Sequence, residues 1–439
     1  MTLAERLATI LFVAFVLLVL PQPAQAQKTI KVGNGTAASC TEDALRNALA
    51  LAGGERSSIV QFKCGAVPVT IAVTATLTVP DNTRINGAGL ITLDGPTLPE
   101  NPLGNGPILR VDRESTVALQ DLNIHRGAGC TTCEVPGGGI HNEGTLTVDG
   151  CTFSGNAAVD GGGIFNQGTL TVRDSTFSDN SALHSGGGIF SQGTLAIHGS
   201  TFTGNGSTFG AAIIAEGILT VHDSVFDGNN VIRSPIDLQA FGLTGFPSGA
   251  INLGMGTHTI SRSTVTRNIS AESGGGITLL AGALTVIHST ITQNTAAFGG
   301  GIEVLPLTSG GATLAVKNST ISGNTASREG GGIANNGGTV TIDDSTITQN
   351  TAGTGGGMSN GGSLKVKDST ITENTAGTFG GGIYNLSSSS AVTLTVIDSA
   401  ITQNTAGSDG GGIYTVAGGI PPRLKKALVT NNTPNDIAP

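Results

Sequence analysis

The stretch Gly161-Gly162-Gly163-Ile164-Phe165-Asn166-Gln167-Gly168-Thr169-Leu170-Thr171-Val172-Arg173-Asp174-Ser175-Thr176-Phe177-Ser178-Asp179-Asn180 decides the fold. It holds three short strand signals separated by Gly, Asn or Asp, and no helical period. Thr169-Leu170-Thr171-Val172 alternates hydroxyl and apolar residues, as a strand with one buried face does. The unit recurs about every 25 residues. Gly-Gly-Gly followed by an apolar residue returns at Gly137, Gly161, Gly186, Gly274, Gly299, Gly330, Gly355, Gly380 and Gly410, with degenerate copies at Gly210 and Ser248. An apolar residue three before an Asn returns in register. The pairs are Phe153/Asn156, Phe177/Asn180, Phe202/Asn205, Phe226/Asn229, Val265/Asn268, Ile291/Asn294, Ile321/Asn324, Ile347/Asn350, Ile371/Asn374, Ile401/Asn404 and Val429/Asn432. Three strands per such period specify an all-β, single-stranded parallel β-helix. Crossovers between parallel strands are right-handed, so the helix is expected to be right-handed.

Alternation places Ile140, Leu146, Val148 and Phe153 inside and Thr145 and Thr147 outside. Equivalent positions then stack from coil to coil into aliphatic and Phe columns. The recurrent Asn is expected to form a ladder of side-chain amides. The Gly triplets are expected at a corner that needs positive φ or close backbone approach. No helix follows them, so they are not a phosphate loop.

Outward from the repeats, residues 57–125 lose the consensus but keep strand runs at Ser58-Phe62, Val69-Val79, Thr83-Leu93 and Leu109-Ile124. They add about three irregular coils, for some 14 coils and a rod on the order of 65 Å long. An open β-helix end exposes unpaired strand edges. Residues 39–52 read as its N-terminal cap. Ser39-Cys40-Thr41-Glu42 fits a capping box, and Leu45, Ala48, Leu49 and Ala52 share one helix face. After Asn432 no cap is evident. The organisation expected is therefore 1–26 export signal, 27–56 cap with a short helix, 57–125 irregular coils and 126–439 regular coils.

The export signal rests on Arg6, the apolar run Ile10 to Leu20, Pro21 and Pro23, and the small-x-small site Ala24-Gln25-Ala26. Eleven apolar residues are too few to span ~30 Å of hydrocarbon. Cleavage after Ala26 and a secreted or surface location follow, with no membrane span in the mature chain and a monomeric state. The net charge is -9 with only 12% charged residues, and Trp is absent. No basic run offers a phosphate footprint, which argues against nucleic acid as a partner.

Five cysteines are present. Export favours disulfides, and Cys40 with Cys64 would staple the cap to the first strands. Cys130 and Cys133 could close on each other, or one could bond Cys151. A metal site built from Cys130, Cys133, Cys151 and His125 or His141 is the sharper alternative, but a single C-x-x-C supports it weakly. His198 and His222 share a turn position in adjacent coils and read as a solvated column.

The Gly161-Ile164 and Phe177-Asn180 signatures resemble the GGA(I/L/V) and FxxN motifs of polymorphic outer membrane proteins. The whole repeat is similar to bacterial secreted right-handed β-helix proteins of the pectate-lyase-like superfamily. Cys40-Thr41-Glu42-Asp43-Ala44-Leu45-Arg46 resembles the CSLREA-type segment that opens many of them. The resemblance implies an adhesin, surface protein or other binding module, with a polysaccharide or cell-surface glycan as partner. Polymorphic outer membrane proteins end in a membrane barrel, whereas here Pro439 follows the last coil.

The alternative implied by the resemblance is a polysaccharide lyase, in which carboxylates hold Ca²⁺ against a uronate and an Arg or Lys takes the C5 proton. Its best cluster is Asp149, Arg173, Asp174 and Asp179, continued in the turn column by Asp223, Asp344, Asp368 and Asp398. Arg173, Lys317 and Lys367 stand one column over. Recurrence in every coil argues for turn residues rather than catalytic groups. No WxDH-like, RxPxxR, GHG or RIK-like motif occurs, and Asp343-Asp344 is a repeat variant. No catalytic, cofactor-binding or metal residue is therefore assigned, and no cofactor beyond the Ca²⁺ a lyase would need. Insertions at Arg126-Pro136, Val231-Pro247, Glu303-Gly311 and Leu386-Ser390 leave two different corners and do not converge. Phe165, Phe190, Tyr384 and Tyr414 follow the Gly triplets and point outward, with His141 beside the first pair. They are read as stacking on each other, with both Tyr apart from the Phe pair. Ranked outward Thr, as at Thr169/Thr171 and Thr290/Thr292, also resembles an ice-binding face. Ala196, Ala315, Lys365, Ser154, Ser178 and Asp227 interrupt those arrays.

Overall fold

The structure, a computed structural model, describes residues 27–53, 57–96, 106–129, 136–231, 249–307, 311–386 and 392–439. Parallel strands wind into a solenoid of 14 turns, counted on the sheet that runs from Leu77–Val79 to Ile437–Ala438. We call that sheet B. Sheet A is a 27-stranded sheet that runs through two consecutive strands of each coil, such as Thr169–Arg173 and Thr176–Ser178. Sheet C is a ten-stranded sheet of short strands such as Ala157–Asp160. Each coil runs from sheet C through the Gly triplet to sheet B, then along both strands of sheet A.

Register carries the repeat into space. Phe153, Phe177, Phe202 and Phe226 occupy one position in neighbouring strands. Their rings stack 4.6, 4.7 and 4.9 Å apart inside the rod. From Val265 onward the same column is aliphatic. Leu146, Leu170, Leu195 and Leu219 form a second inward column, which continues through His258 to Leu284. His258 is thus a fully buried imidazole among leucines, and burial lowers its pKa.

The Gly triplet is sterically required at each place. Gly161 has φ +66°, and a Cβ there would lie 2.5 Å from the Ile164 carbonyl oxygen. A Cβ on Gly162 or Gly163 would strike backbone oxygens of the next coil at 2.3 and 2.5 Å. Close stacking of successive corners therefore excludes any side chain.

The N-terminal end is closed by a short strand (Lys28–Val32) and helix α1 (Glu42–Leu51), which buries Leu45, Ala48 and Leu49. Its N-cap is Thr41, whose hydroxyl accepts from the Ala44 amide at 3.2 Å. The capping box expected from Ser39 and Glu42 is not formed. Ser39 lies in a preceding 3-10 turn, and Glu42 instead accepts from the Thr74 amide and hydroxyl and pairs with Arg46. That ties the cap to the first coils. Cys40 and Cys64 are disulfide-bonded, with Cα atoms 5.7 Å apart. Cys130 and Cys133 lie outside the described residues, as does the segment 1–26 expected to be an export signal.

At the other end the Asn column is closed by a residue whose role the sequence did not announce. The Asp436 carboxylate accepts from both the backbone and the side chain of Asn432, at 3.0 Å each.

Candidate functional site

Three built features compete for a functional role: the turn columns of sheet A, the interior ladders, and a seam where the outer faces of sheets B and C meet.

The acidic turn columns have a backbone explanation. Asp174, Asp223, Asp344, Asp368 and Asp398 all adopt φ between +45° and +51° at the bend between the two sheet A strands. Asp179 adopts φ +54° at the following corner. Asp, Asn and Gly tolerate this conformation best, which is why they recur there. Asp149 and Arg173 are register partners. Asp174 and Asp179, however, flank opposite ends of the strand Thr176–Ser178, about 15 Å apart along the chain. The four residues do not converge. Asp368, Asp398 and Lys426, further along, do line one shallow open cleft with Ser369 and Ser399. Lys367 bridges Asp343 (3.2 Å) and Asp368 (2.5 Å), and both partners raise its pKa. Among the described residues, no three His, Cys, Asp or Glu side chains are grouped to hold a metal ion.

The interior holds two amide ladders and one hydroxyl ladder. In the first, each of Asn156, Asn180, Asn205, Asn229, Asn268, Asn294, Asn324, Asn350, Asn374 and Asn404 donates its amide to the Oδ1 of the next Asn. A second ladder, in sheet B, joins Asn142 to Asn166 and Asn335 through Asn360 to Asn385. The hydroxyl ladder runs through the Ser that follows the turn Asp: the Ser175 amide donates to Ser200 Oγ, and Ser200 in turn to Ser224 Oγ. Cys151 heads this column, and its amide donates to Ser175 Oγ at 3.1 Å. Cys151 is a buried free thiol, and burial pushes its pKa up to about 11. His125 and His141, the histidines of the alternative Cys-His metal site, sit on different sheets, and its Cys130 and Cys133 lie outside the described residues. His198 and His222 stack at 5.2 Å, and His222 Nδ1 is engaged by Ser261 Oγ.

The seam is the least regular part of the coil. Its sheet B side is the column His141, Phe165, Phe190, Ile214, Asn252, Thr278, Glu303, Ala334, Ser359, Tyr384 and Tyr414. Its sheet C side includes Ser273, Phe298, Glu329 and Thr354, which are themselves in register. The first Gly of each triplet turns the chain so tightly that sheet B's central side chain lies against it. A Cβ on Gly274 would sit 2.1 Å from Thr278 Oγ1. Phe165, Phe190 and Ile214 are consequently buried, with Phe209 packed on them. These residues leave the core and yet stay largely shielded from solvent. The two Tyr do not stand alone: Tyr384 stacks on Tyr414 at 5.7 Å, and Phe379 packs on Tyr414 at 4.5 Å.

Between these aromatic ends lies Glu303. The expectation that Glu303 opens an insertion is corrected: it is the middle residue of the strand Ile302–Val304, paired with Thr278 and Ala334. Its side chain is buried, with 1% of the residue surface exposed. The Asn336 amide donates to Oε1 at 2.8 Å. The Ser273 hydroxyl lies close enough to favour the charged form, but Oε2 has no hydrogen-bond partner. Burial outweighs these contacts and pushes the pKa up to about 7. The clue in the sequence is Gly299-Gly300-Gly301-Ile302-Glu303, an acid where the other triplets are followed by aromatic, aliphatic or neutral polar residues.

Among the described residues no helix is long and apolar enough to cross a membrane. Among solved structures, the chain is similar to the A-module of the Azotobacter vinelandii mannuronan C-5 epimerase AlgE6. The two share 13% identity over 93% of this chain and 98% of that one, with a TM-score of 0.38. No curated protein matches significantly. Residues 85–236 and 249–433 match the family described as "right handed beta helix region". With that match covering most of the chain, and with the core and Asn columns in parallel register from coil to coil, this protein belongs to the right-handed β-helix family.

Proposed function

We propose that the chain is an exported, monomeric, non-catalytic binding or structural rod, working outside the cell or on its surface. Its working surface in this reading is the outer face of sheet A, and its partner an extended polysaccharide or cell-surface glycan. The observation that carries it is the in-register hydroxyl array on that face. Thr145, Thr169 and Thr194 line one column, and Thr313 and Thr339 continue it further along. Several hydroxyls already bond across coils, such as Ser322 to Thr292 at 3.2 Å and Thr393 to Ser363 at 3.1 Å. Hydroxyls held in rows by a rigid scaffold can donate to and accept from a polymer that repeats in the same direction.

The test is retention of residues 27–439 on a panel of uronate, amino-sugar and neutral polysaccharides. Thr313→Glu with Thr339→Glu should abolish retention while leaving the thermal midpoint within about 2 °C, since surface changes cost little. Absence of retention across the panel would defeat this reading. Thermal hysteresis in place of glycan binding would move the same face to ice.

A second reading, a Ca²⁺-dependent lyase of uronate polymers, draws on the cleft lined by Asp368, Asp398 and Lys426. Two carboxylates there could share a cation, with Lys426 positioned as the base. Chelator-sensitive formation of unsaturated uronate ends from polygalacturonate, lost in Asp398→Asn, would establish it over the binding rod.

A further inference from the structure

We propose that the C-terminal mouth of the seam between sheets B and C is a subsite for one neutral pyranose of a glycan, stacked on the Tyr414 ring and held by Asp409 and Asn435. This inference rests on the glycan reading above and adds a second contact, away from the sheet A face.

Along most of its length the seam is closed. Phe165, Phe190 and Ile214 are buried, and so are Thr278, Glu303, Ala334 and Ser359. At the mouth Phe379, Tyr384, Asp409 and Tyr414 are all partly exposed, and Asn435 is exposed. Tyr384 stacks on Tyr414 at 5.7 Å with 14° between the ring planes, and Phe379 packs on Tyr414 at 4.5 Å. The next rung in register is Ala438. The side of Tyr414 toward that rung therefore meets a methyl group rather than a further ring.

A polar pair is fixed beside that ring. Asp409 is the register partner of Phe379 on sheet C and stands just before the triplet that leads to Tyr414. Asn435 Nδ2 donates to Asp409 Oδ1 at 2.6 Å. The Gly410 N–H donates to Asn435 Oδ1 at 2.7 Å and to Asp409 Oδ1 at 2.9 Å. A Cβ on Gly410 would lie 2.6 Å from Tyr414 Cβ, so the pair is anchored against the ring. These bonds all use Oδ1 of Asp409 and leave Oδ2 for a ligand. A pyranose offers C–H groups on its faces and hydroxyls at its rim. The negative face of an aromatic ring suits the C–H groups. A carboxylate accepts from hydroxyls, and a side-chain amide donates to them. Asp409 is itself acidic, and Tyr384 feels the nearby Glu329. A neutral sugar therefore fits the mouth better than a uronate.

The chain has two tyrosines, Tyr384 and Tyr414, and no Trp, so its tyrosine emission reports on this mouth alone. Titration of residues 27–439 with tetrasaccharides of glucose, mannose and galactose should give a saturable change in that emission with at least one of them. The change should persist in Thr313→Glu with Thr339→Glu, which alters only the sheet A face. It should persist in Tyr384→Phe, which keeps both rings and leaves Tyr414 as the reporter. Asp409→Asn loses a charged acceptor and should need on the order of tenfold more sugar. Tyr414→Leu, read through Tyr384, should show no response, and Asp409→Asn decides alone if Tyr414→Leu fails to fold. An undiminished response in either variant would overturn the subsite. Flat emission in wild type with polysaccharide still retained on the panel would overturn the subsite and leave the glycan reading standing. Flat emission with no retention would overturn both.

Discussion

Asn294 donates its side-chain amide to Oδ1 of Asn324 at 3.0 Å, and its backbone N–H reaches the same oxygen at 3.0 Å. The other amide hydrogen goes to the Val265 carbonyl on the preceding coil at 2.9 Å. Its own Oδ1 accepts twice from Asn268. One buried side chain thus closes the hydrogen-bonding of a corner across three coils. Asn294→Ala would leave the Asn268 amide groups and the Val265 carbonyl unsatisfied. Each orphan costs roughly 1–3 kcal/mol, so the loss should exceed about 3 kcal/mol. A urea titration should show an earlier midpoint. Because solenoid coils interact only with their neighbours, exchange protection should fall first around residues 265–325.

The glycines divide into two mechanical classes. At Gly300 a Cβ would meet the Gly331 oxygen at 2.5 Å and the Thr325 oxygen at 2.6 Å, both of them backbone. Gly228 has φ +63° with nothing within 4 Å of its Cβ. Gly300→Ala should force adjacent coils apart and prevent accumulation of folded protein. Gly228→Asn should be neutral within about 1 kcal/mol, since Asn tolerates that conformation and Gly is the more flexible residue unfolded. Circular dichroism and thermal melts of the two variants would separate the classes, and equal effects would contradict this division.

Sequence periodicity made the fold legible because the same physics repeats in every coil. Phe177 and Asn180 are visible as ladder members since their neighbours must satisfy the same packing and the same hydrogen bonds. The Asp turns were legible as turns for the same reason. The seam was not. Residues after the Gly triplet alternate outward from the core, so they read as surface until the tightness of the Gly corner is known. That is why Phe165 looked exposed and Glu303 looked like the start of a loop. The Ser ladder and its Cys151 head were present as Ser175-Thr176-Phe177 and Cys151-Thr152-Phe153. A small polar residue before a strand, however, carries no sign of whether its hydroxyl faces a neighbouring coil. Asp436 closes the Asn column from outside the repeat, where periodicity has nothing to say.

Cys151 should behave as a structural thiol. Its pKa is raised to about 11, and thiolate is the reactive form. Iodoacetamide at pH 8 should leave the Cys151 peptide unmodified in folded protein and modify it fully in denaturant. Labelling in the folded state at a rate near that of a free thiol would mean that this coil opens readily.

The Cys40–Cys64 bridge spans 24 residues and joins the cap to the strand edge it covers. A loop of that length contributes about 3 kcal/mol in the chain-entropy model. Cys64→Ser should therefore loosen helix α1 (Glu42–Leu51) while sparing the regular coils. Limited proteolysis should cut between residues 33 and 57 in the variant and leave the repeat region intact. Global collapse of the rod on losing this one bridge would mean that the cap nucleates the whole solenoid.

His258 should weaken the rod at acid pH. It replaces a leucine in the inward column between Leu219 and Leu284, and only its Nε2 finds a partner, the Gly254 carbonyl at 3.2 Å. Nδ1 is buried without one. Protonation would place a charge among aliphatic side chains, so burial lowers the pKa below the ordinary 6.5. The unfolded chain then binds the proton more readily than the folded one, and stability falls as pH drops below about 6.5. Glu303 acts in the opposite sense, losing stability as pH rises from about 4.5 to about 7, so the two effects oppose each other over the range they share. His258→Leu restores the column and removes the acid-side loss, while the half-buried Gly254 carbonyl can turn to water. Thermal midpoints from pH 4 to 8 should show the variant gaining most over wild type at the acid end. A constant offset at every pH would instead mark His258 as a packing defect with no part in the acid response.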